Sequence, residues 1–172
     1  MKKTLSLFTS FAALLIVLGN VGGSVNQVII VKDYDFHADT VWEPWTQVDR
    51  IANFHPGLVF SSIIGDRFSG VGACRQVTTT DGKQLIHEIV ELDESDRRLG
   101  FTFAADFLPL KHAICRIHVI ETGAITSKLE FSVDMQPKYG LLGWLLGKIV
   151  LEGKLKDGGD SLLGGLESYL KS

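Results

Sequence analysis

The residues whose types and spacing most suggest chemistry are Arg75 and Glu88, which lie among apolar residues on two consecutive predicted strands. The Asp81-Gly82 pair between these strands is typical of a tight hairpin turn, so the two side chains could approach each other on one face. A charge that faces an apolar interior must be paired or used. The pattern predicts either an anchor that orients the polar end of a bound molecule or a plain salt bridge at the sheet rim.

His87 offers a different chemistry, because alternation cannot fix the buried face of a strand when both faces carry apolar residues. If Leu85, His87 and Ile89 face inward, Glu88 turns to solvent. His87 then becomes the best candidate general base, since an imidazole titrates near neutral pH. His87 and Glu88 are therefore the candidate catalytic residues if the protein is an enzyme, and His55 is a candidate for the mouth of an internal cavity.

The sequence does not indicate a metal or phosphate site. His112 and His118 share one face of a predicted strand, but six residues of strand hold them about 20 Å apart, too far to share an ion. No cluster of His, Cys, Asp or Glu has the spacing of metal ligands. The glycine-rich segment 65–72 lacks the Gly-Lys-Ser/Thr ending of a phosphate loop, so we interpret its glycines as turn residues. We expect no metal and no other cofactor.

Composition and the first residues bear on class and location. The chain has 172 residues, 45% hydrophobic and 22% charged, which suits one globular domain. A formal net charge of −3 without a basic stripe argues against nucleic acid as a partner. In residues 1–23, two lysines precede an apolar run of about 15 residues, a length typical of a signal peptide. We expect a signal peptide or an uncleaved N-terminal anchor, and hence a periplasmic, secreted or membrane-anchored domain over 25–172.

Cys74 and Cys115 bear on the same question, because export would permit a disulfide. Both cysteines fall on predicted strands that other strands separate, and this separation holds their Cα atoms too far apart for a bond. We therefore favour two free thiols.

The hydrophobic pattern predicts an α+β domain with about seven strands, two short helices after the first strand and a long C-terminal helix. Two glycines, Gly158 and Gly159, are expected to kink or loosen that helix. The predicted elements are a strand over 27–34, helices over 38–48 and 50–54, strands over 58–66, 70–80, 83–92, 97–104, 113–121 and 124–135, and a helical segment over 137–172.

This order of elements resembles the START/Bet v 1-like superfamily, and within it the polyketide cyclase/dehydrase and lipid-transport proteins. The resemblance covers about Val25 to Leu170 and depends on ordering and spacing more than on a signature. The local matches are Ala38-Asp39-Thr40-Val41-Trp42, Asn53-Phe54-His55-Pro56, Gly70-x-Gly-x-x-Arg75, Glu88 before Leu92-Asp93, Arg97-Arg98-Leu99 and Leu108-Pro109-Leu110.

The resemblance implies a helix-grip fold, in which a curved antiparallel sheet wraps a long C-terminal helix and leaves a cavity. It implies binding or transport of a hydrophobic small molecule or lipid, with a polyketide cyclase/dehydratase that uses a cavity-facing His or Glu as the alternative. We expect a monomer. The apolar segment 139–151 is interpreted as core, although transient membrane contact would also suit it. The expected ligand-binding residues are Trp42, Phe54, Arg75, Glu88, Phe101, Phe103, Phe107 and Trp144.

Overall fold

The computed structural model describes the backbone of residues 26–104, 110–137 and 140–172, and the side chains of 27–103, 111–136, 153 and 155–172. The expected leader over residues 1–23 lies outside these ranges. Within them, no helix combines the length and the hydropathy that a membrane crossing needs.

The described chain has seven strands, as the hydrophobic pattern predicts, and two of the three predicted helices are α-helices. A single 3₁₀ turn at Ile51–Asn53 takes the place of the second short helix. The strands are β1 Asn26–Tyr34, β2 Leu58–Ile64, β3 Cys74–Thr79, β4 Gln84–Asp93, β5 Arg98–Ala104, β6 Leu110–Gly123 and β7 Thr126–Pro137, and the helices are α1 Ala38–Thr46 and α2 Gly140–Leu170.

One antiparallel sheet contains all seven strands in the order β1-β7-β6-β5-β4-β3-β2. Each strand from β2 to β6 pairs with the next strand along the chain, and β1 pairs with β7. Strand β3 begins four residues later than predicted because Gly70 and Gly72 adopt positive φ values of 76° and 87°, a conformation that ends a regular strand. The helix-grip architecture predicted from the sequence is confirmed.

The inner face of the sheet carries the core. Strands β6 and β7 alternate as their sequences predict, with one set of side chains buried and the intervening polar set turned to solvent. Helix α2 lies against this face and buries Leu162, Leu163 and Leu166. The buried residues of the two strands are Ala113, Cys115, Ile117 and Val119 on β6 and Leu129, Phe131, Val133 and Met135 on β7.

The two cysteines lie on β3 and β6, and strands β4 and β5 run between them. Both are free, as we expected. Cys115 is buried on the inner face, whereas Cys74 is half-buried on the outer face.

The sequence predicts a kink or a loosened turn at Gly158 and Gly159; helix α2 remains helical through both, so no loosened turn is found. The absence of a side chain at Gly159, and at Gly165 farther along the helix, instead allows neighbouring residues to approach closely. A Cβ at Gly159 would overlap the Cδ1 atom of Ile30 on β1, and a Cβ at Gly165 would overlap the backbone oxygen of Phe54. The absence of side chains at these positions lets the helix settle directly onto the sheet and onto the segment after the 3₁₀ turn.

Polar contacts fix the C-terminal half of α2 in this position. The buried Tyr34 hydroxyl on β1 donates a hydrogen bond to the Leu163 carbonyl oxygen at 2.9 Å. Lys32, two residues earlier on the same strand, forms an ion pair with Glu167 at 2.7 Å. Glycine packing and these two contacts together set the distance between helix and sheet, and therefore the space enclosed between them.

Two neighbouring glycines provide a matched test of this packing. We expect Gly165→Ala to lower the free energy of unfolding by about 1–3 kcal/mol, because backbone atoms of the Phe54 segment must move to admit the methyl group. Gly164→Ala should instead raise it by about 0.4–1 kcal/mol, since a Cβ there meets no atom within 4 Å and alanine favours the helix. Urea unfolding of both variants checks the pair. Equal effects at the two positions would contradict the packing role of Gly165.

Candidate ligand-binding cavity

A cavity of about 230 Å³ lies between the inner face of the sheet and helix α2. Its lining is mostly apolar and includes Leu85, Phe101, Phe103, Phe131, Val133 and Leu155. The polar side chains that reach it are His55, Thr79, His87 and Cys115. A mostly apolar concavity with a few convergent polar groups is the usual composition of a small-molecule site.

Arg75 on β3 and His87 on β4 are direct partners across the hairpin, and both side chains point inward. The Arg75 side chain is buried, with 5% of the residue exposed. Its Nε donates a hydrogen bond to His87 Nδ1 at 3.1 Å, and its Nη1 donates another to the backbone oxygen of Val48 at 3.0 Å. The guanidinium also lies over the Phe101 ring, 5.1 Å from the ring centroid, where a cation–π contact offsets part of the cost of burial.

The expected pairing of Arg75 with Glu88 is wrong. Glu88 lies opposite Cys74 on the outer face of the sheet and is exposed. Leu85, His87 and Ile89 form the inward-facing set, which is the alternative that the sequence left open. Glu88 therefore does not line the cavity, either as a ligand anchor or as a candidate catalytic carboxylate.

The length of the hairpin loop explains the error. A two-residue Asp81-Gly82 turn would place Arg75 opposite Glu88. The structure has a three-residue loop instead, in which the Thr79 backbone N–H donates to the Lys83 oxygen at 2.9 Å and Gly82 adopts a φ of 81°. Loops of this kind place a left-handed residue, usually glycine, at the last loop position. The extra loop residue moves β4 by one position and brings His87 into register with the arginine.

The hydrogen bond from Arg75 fixes the tautomer of His87. A guanidinium has no lone pair to offer, so Nδ1 of the imidazole must be the acceptor and the neutral ring carries its proton on Nε2. Burial, followed by the nearby charges of Arg75 and His55, lowers the pKa of His87 well below 6.5. His87 thus presents a neutral Nε2–H donor from the side of the ring opposite Arg75.

His55 has the same arrangement. Its Nδ1 accepts a hydrogen bond from the Gly57 backbone N–H at 3.0 Å, so its proton also resides on Nε2. Burial is the main cause that lowers the pKa of His55, and Arg75 lowers it further. Two neutral imidazoles with their Nδ1 lone pairs already occupied therefore border one cavity.

The other polar groups of the lining are less available. Thr79 Oγ1 accepts from the Lys83 backbone N–H at 3.0 Å and donates within the same turn. Burial raises the pKa of the Cys115 thiol to about 12, although Arg75 lowers it in part. A thiol in this state is protonated at neutral pH and is a poor nucleophile.

The aromatic residues expected to bind ligand divide into three groups. Phe101 and Phe103 line the cavity, and the His87 ring stacks on Phe101 with centroids 5.1 Å apart. Trp42 and Phe54 are buried in the core but are not part of this lining, and Phe54 packs edge-on against Trp45 at 5.0 Å. Phe107 and the side chain of Trp144 lie outside the described residues.

Cys115, Thr79 and Leu155 also line the cavity, although the sequence pattern does not mark them as lining residues. Alternation along β6 predicts correctly that Cys115 faces inward, but it does not show that the cavity reaches that far. Leu155 falls within the apolar stripe of the last helix, where a lining residue has no mark that distinguishes it from ordinary core.

A second concavity, of about 190 Å³, lies on the opposite face of the sheet. Two of its charged residues, Arg116 and Glu91, pair with each other. Arg116 donates to Glu91 from Nε at 2.8 Å and from Nη2 at 2.9 Å, and it also pairs with Asp134. Because these groups already satisfy each other, the inner cavity is the better candidate site.

Known proteins resemble this chain in structure rather than in sequence. No family model and no curated protein matches it. The Zhui aromatase/cyclase from Streptomyces sp. R1128 gives a TM-score of 0.72 at 15% identity, over 86% of this chain and 94% of that one. Ara h 8.0201 gives 0.67 at 16% identity, over 86% and 98%. Norcoclaurine synthase from Thalictrum flavum, in complex with dopamine and hydroxybenzaldehyde, gives 0.59 at 18% identity, over 87% and 94%.

At such identities the likeness establishes the fold and leaves the activity to be argued from the site. The strand order, the long helix across the inner face and these structural neighbours agree: the protein has the helix-grip fold.

Proposed function

We propose that the protein binds a small hydrophobic molecule that has one ring or two fused rings. An oxygen atom of this molecule accepts a hydrogen bond from His87 Nε2–H. The observation that carries this proposal is a mostly apolar cavity in which Arg75 fixes the orientation and tautomer of one histidine. A site whose donor is already held in one geometry binds its ligand more tightly, because less side-chain freedom is lost on binding.

The cavity volume supports a compact ligand. An apolar cavity of about 150 Å³ is enough to hold benzene. The 230 Å³ bounded by the described side chains is larger than that, yet it lies below the range of about 300–1,000 Å³ that is usual for drug-sized ligands. This size favours a ring system over a long-chain lipid. The norcoclaurine synthase complex with dopamine and hydroxybenzaldehyde shows that this fold can hold single-ring molecules.

Apolar burial would supply most of the affinity. Each Å² of ligand surface removed from water contributes about 25 cal/mol. The face of Phe101 is already occupied by the His87 ring on one side, so ring stacking by the ligand would involve Phe103 or the edge of Phe101. The hydrogen bond to His87 would then set orientation and select among ligands of similar size.

Cyclase or dehydratase chemistry is the second candidate. The observation in its favour is that a neutral imidazole N–H can polarise a carbonyl group, as His87 Nε2–H is placed to do. Such a reaction also needs a base. Glu88 lies on the outer face, and the Nδ1 lone pairs of His55 and His87 are engaged. The described part of the lining therefore fits binding better than proton abstraction.

Two neighbouring positions on β4 test the cavity. Leu85→Trp places a large side chain where Leu85 borders the cavity, so we expect the affinity for 2-naphthol to fall at least tenfold. Ile86→Trp, one residue along and 47% exposed on the outer face, should leave the affinity unchanged. Isothermal titration calorimetry measures both, with urea unfolding to confirm that each variant is folded. Loss of binding in both variants, or in neither, would contradict the proposed location.

The donor role of His87 has a consequence for stability against pH. Because the folded state lowers the pKa of His87, only the unfolded chain takes up a proton there as pH falls below 6.5. Stability is therefore complete above that pH and decreases on acidification. Between pH 7.5 and pH 5 we expect this residue to account for about 1–2 kcal/mol of the loss in unfolding free energy.

His87→Gln should reduce that loss, since the glutamine oxygen can still accept from Arg75 but does not titrate. His112→Gln, at an exposed position of β6, is the matched control. Long-range nitrogen–proton NMR correlations should show His87 as the Nε2–H tautomer at pH 7. A protonated or Nδ1–H ring at that pH would exclude the proposed donor.

A further inference from the structure

We propose that the ligand of this cavity carries an anionic oxygen, with a carboxylate on a small aromatic ring as the chemical class that fits best. The inference rests on the proposed function and makes it more specific. It follows from the placement of Arg75 behind His87, which puts a permanent positive charge one imidazole ring away from the ligand.

Arg75 is a buried cation whose hydrogen-bond partners are neutral. Burial lowers its pKa to about 10, so the guanidinium still carries its charge at neutral pH. Its partners are an imidazole nitrogen, a backbone oxygen and the face of an aromatic ring. Across the described ranges, no carboxylate forms an ion pair with it. A buried charge in this situation gains most from an opposite charge nearby.

The field of Arg75 extends into the cavity. Three groups of the lining, His55, His87 and Cys115, each have a pKa that the charge of Arg75 lowers. For Cys115, burial raises the thiol pKa more than Arg75 lowers it, so the charge of Arg75 offsets part of the cost of an anion at this place. The same charge would favour an anionic oxygen that occupies the space beside these groups, because an interaction with a buried charge such as Arg75 is screened less than one between exposed charges.

The hydrogen-bonding groups of the lining also favour an anionic ligand. His55 and His87 both offer an Nε2–H, and their lone pairs on Nδ1 are occupied. No Asp or Glu belongs to the described lining. A carboxylate only accepts hydrogen bonds, so it satisfies donors of this kind, and bonds to an ionised acceptor are the stronger ones. A ligand amide or ammonium would place its N–H groups against other donors.

The test compares ligands that share one ring system and differ in charge. Titration calorimetry at pH 7.5 with 2-naphthoate, its neutral isostere 2-naphthamide, and 2-methylnaphthalene measures the contribution of the charge directly. We expect the carboxylate to bind at least tenfold more tightly than the amide. Repeating the 2-naphthoate titration in two buffers of different ionisation heat should show no proton uptake, because the ligand is bound as its anion.

Variants of Arg75 test whether the preference depends on this residue, which supplies both the charge and the hydrogen bond to His87. In Arg75→Met the carboxylate-to-amide ratio should fall to within twofold, while the affinity for 2-methylnaphthalene stays within threefold of the wild type. Arg75→Lys keeps a charge and should keep a preference of at least threefold. The wild-type comparison and the proton count do not depend on either variant folding.

The possible failures are distinguishable. If the amide binds as tightly as the carboxylate, the anionic ligand is excluded while the hydrophobic cavity stands. A proton taken up with 2-naphthoate would mean that either the ligand binds as its acid or an imidazole becomes charged, and in both cases an anion held by two neutral Nε2–H donors is excluded. If the preference survives in Arg75→Met, the role given to Arg75 is wrong. If none of the three compounds binds, 2-methylnaphthalene included, the proposed function fails, and the anionic ligand fails with it.

Discussion

The buried side chain of Arg75 donates a hydrogen bond to His87, and both residues depend on that contact. The arginine needs an acceptor because a guanidinium without partners would make burial very costly. The histidine needs the arginine because a free imidazole could adopt either tautomer and several orientations. Their contact settles the proton on Nε2 and holds the ring against Phe101. This contact therefore determines which hydrogen-bonding group His87 offers at the cavity.

The walls of the cavity depend on a different constraint, the distance between α2 and the sheet. Glycines 159 and 165 permit a separation that any side chain would increase, and the contacts of Tyr34 and Lys32 hold the helix at that separation. A helix farther from the sheet would enlarge the cavity but would move Leu155 and Leu162 away from a bound ring. The glycines that weaken the helix by propensity therefore contribute to the shape of the binding site.

Periodicity predicts most of this fold because the buried and exposed residues of β6 and β7 alternate so regularly that only one face can be inside. It also places Arg75 and His87 on adjacent strands. Periodicity does not decide whether His87 or Glu88 faces inward, since both faces of β4 carry apolar residues. The inward face of β4 depends instead on one residue of the loop before it. The same limit applies to Phe54 and Trp42. Whether a buried aromatic residue borders a cavity or fills the core depends on helix–sheet spacing, which close approach at Gly159 and Gly165 determines.

The charge inside the cavity depends on the length of the three-residue loop between β3 and β4. Residues directly opposite each other on a hairpin share a face, so shortening the loop by one residue would pair Arg75 with Glu88. Either the carboxylate would enter the interior and neutralise the arginine, or the arginine would leave for the solvent. In both cases the interior would lose its positive charge, although no residue of the cavity would have been substituted. In a lineage of related chains, an insertion or deletion in this surface loop would act as a change in the charge of the cavity, and a comparison of cavity residues alone would overlook it.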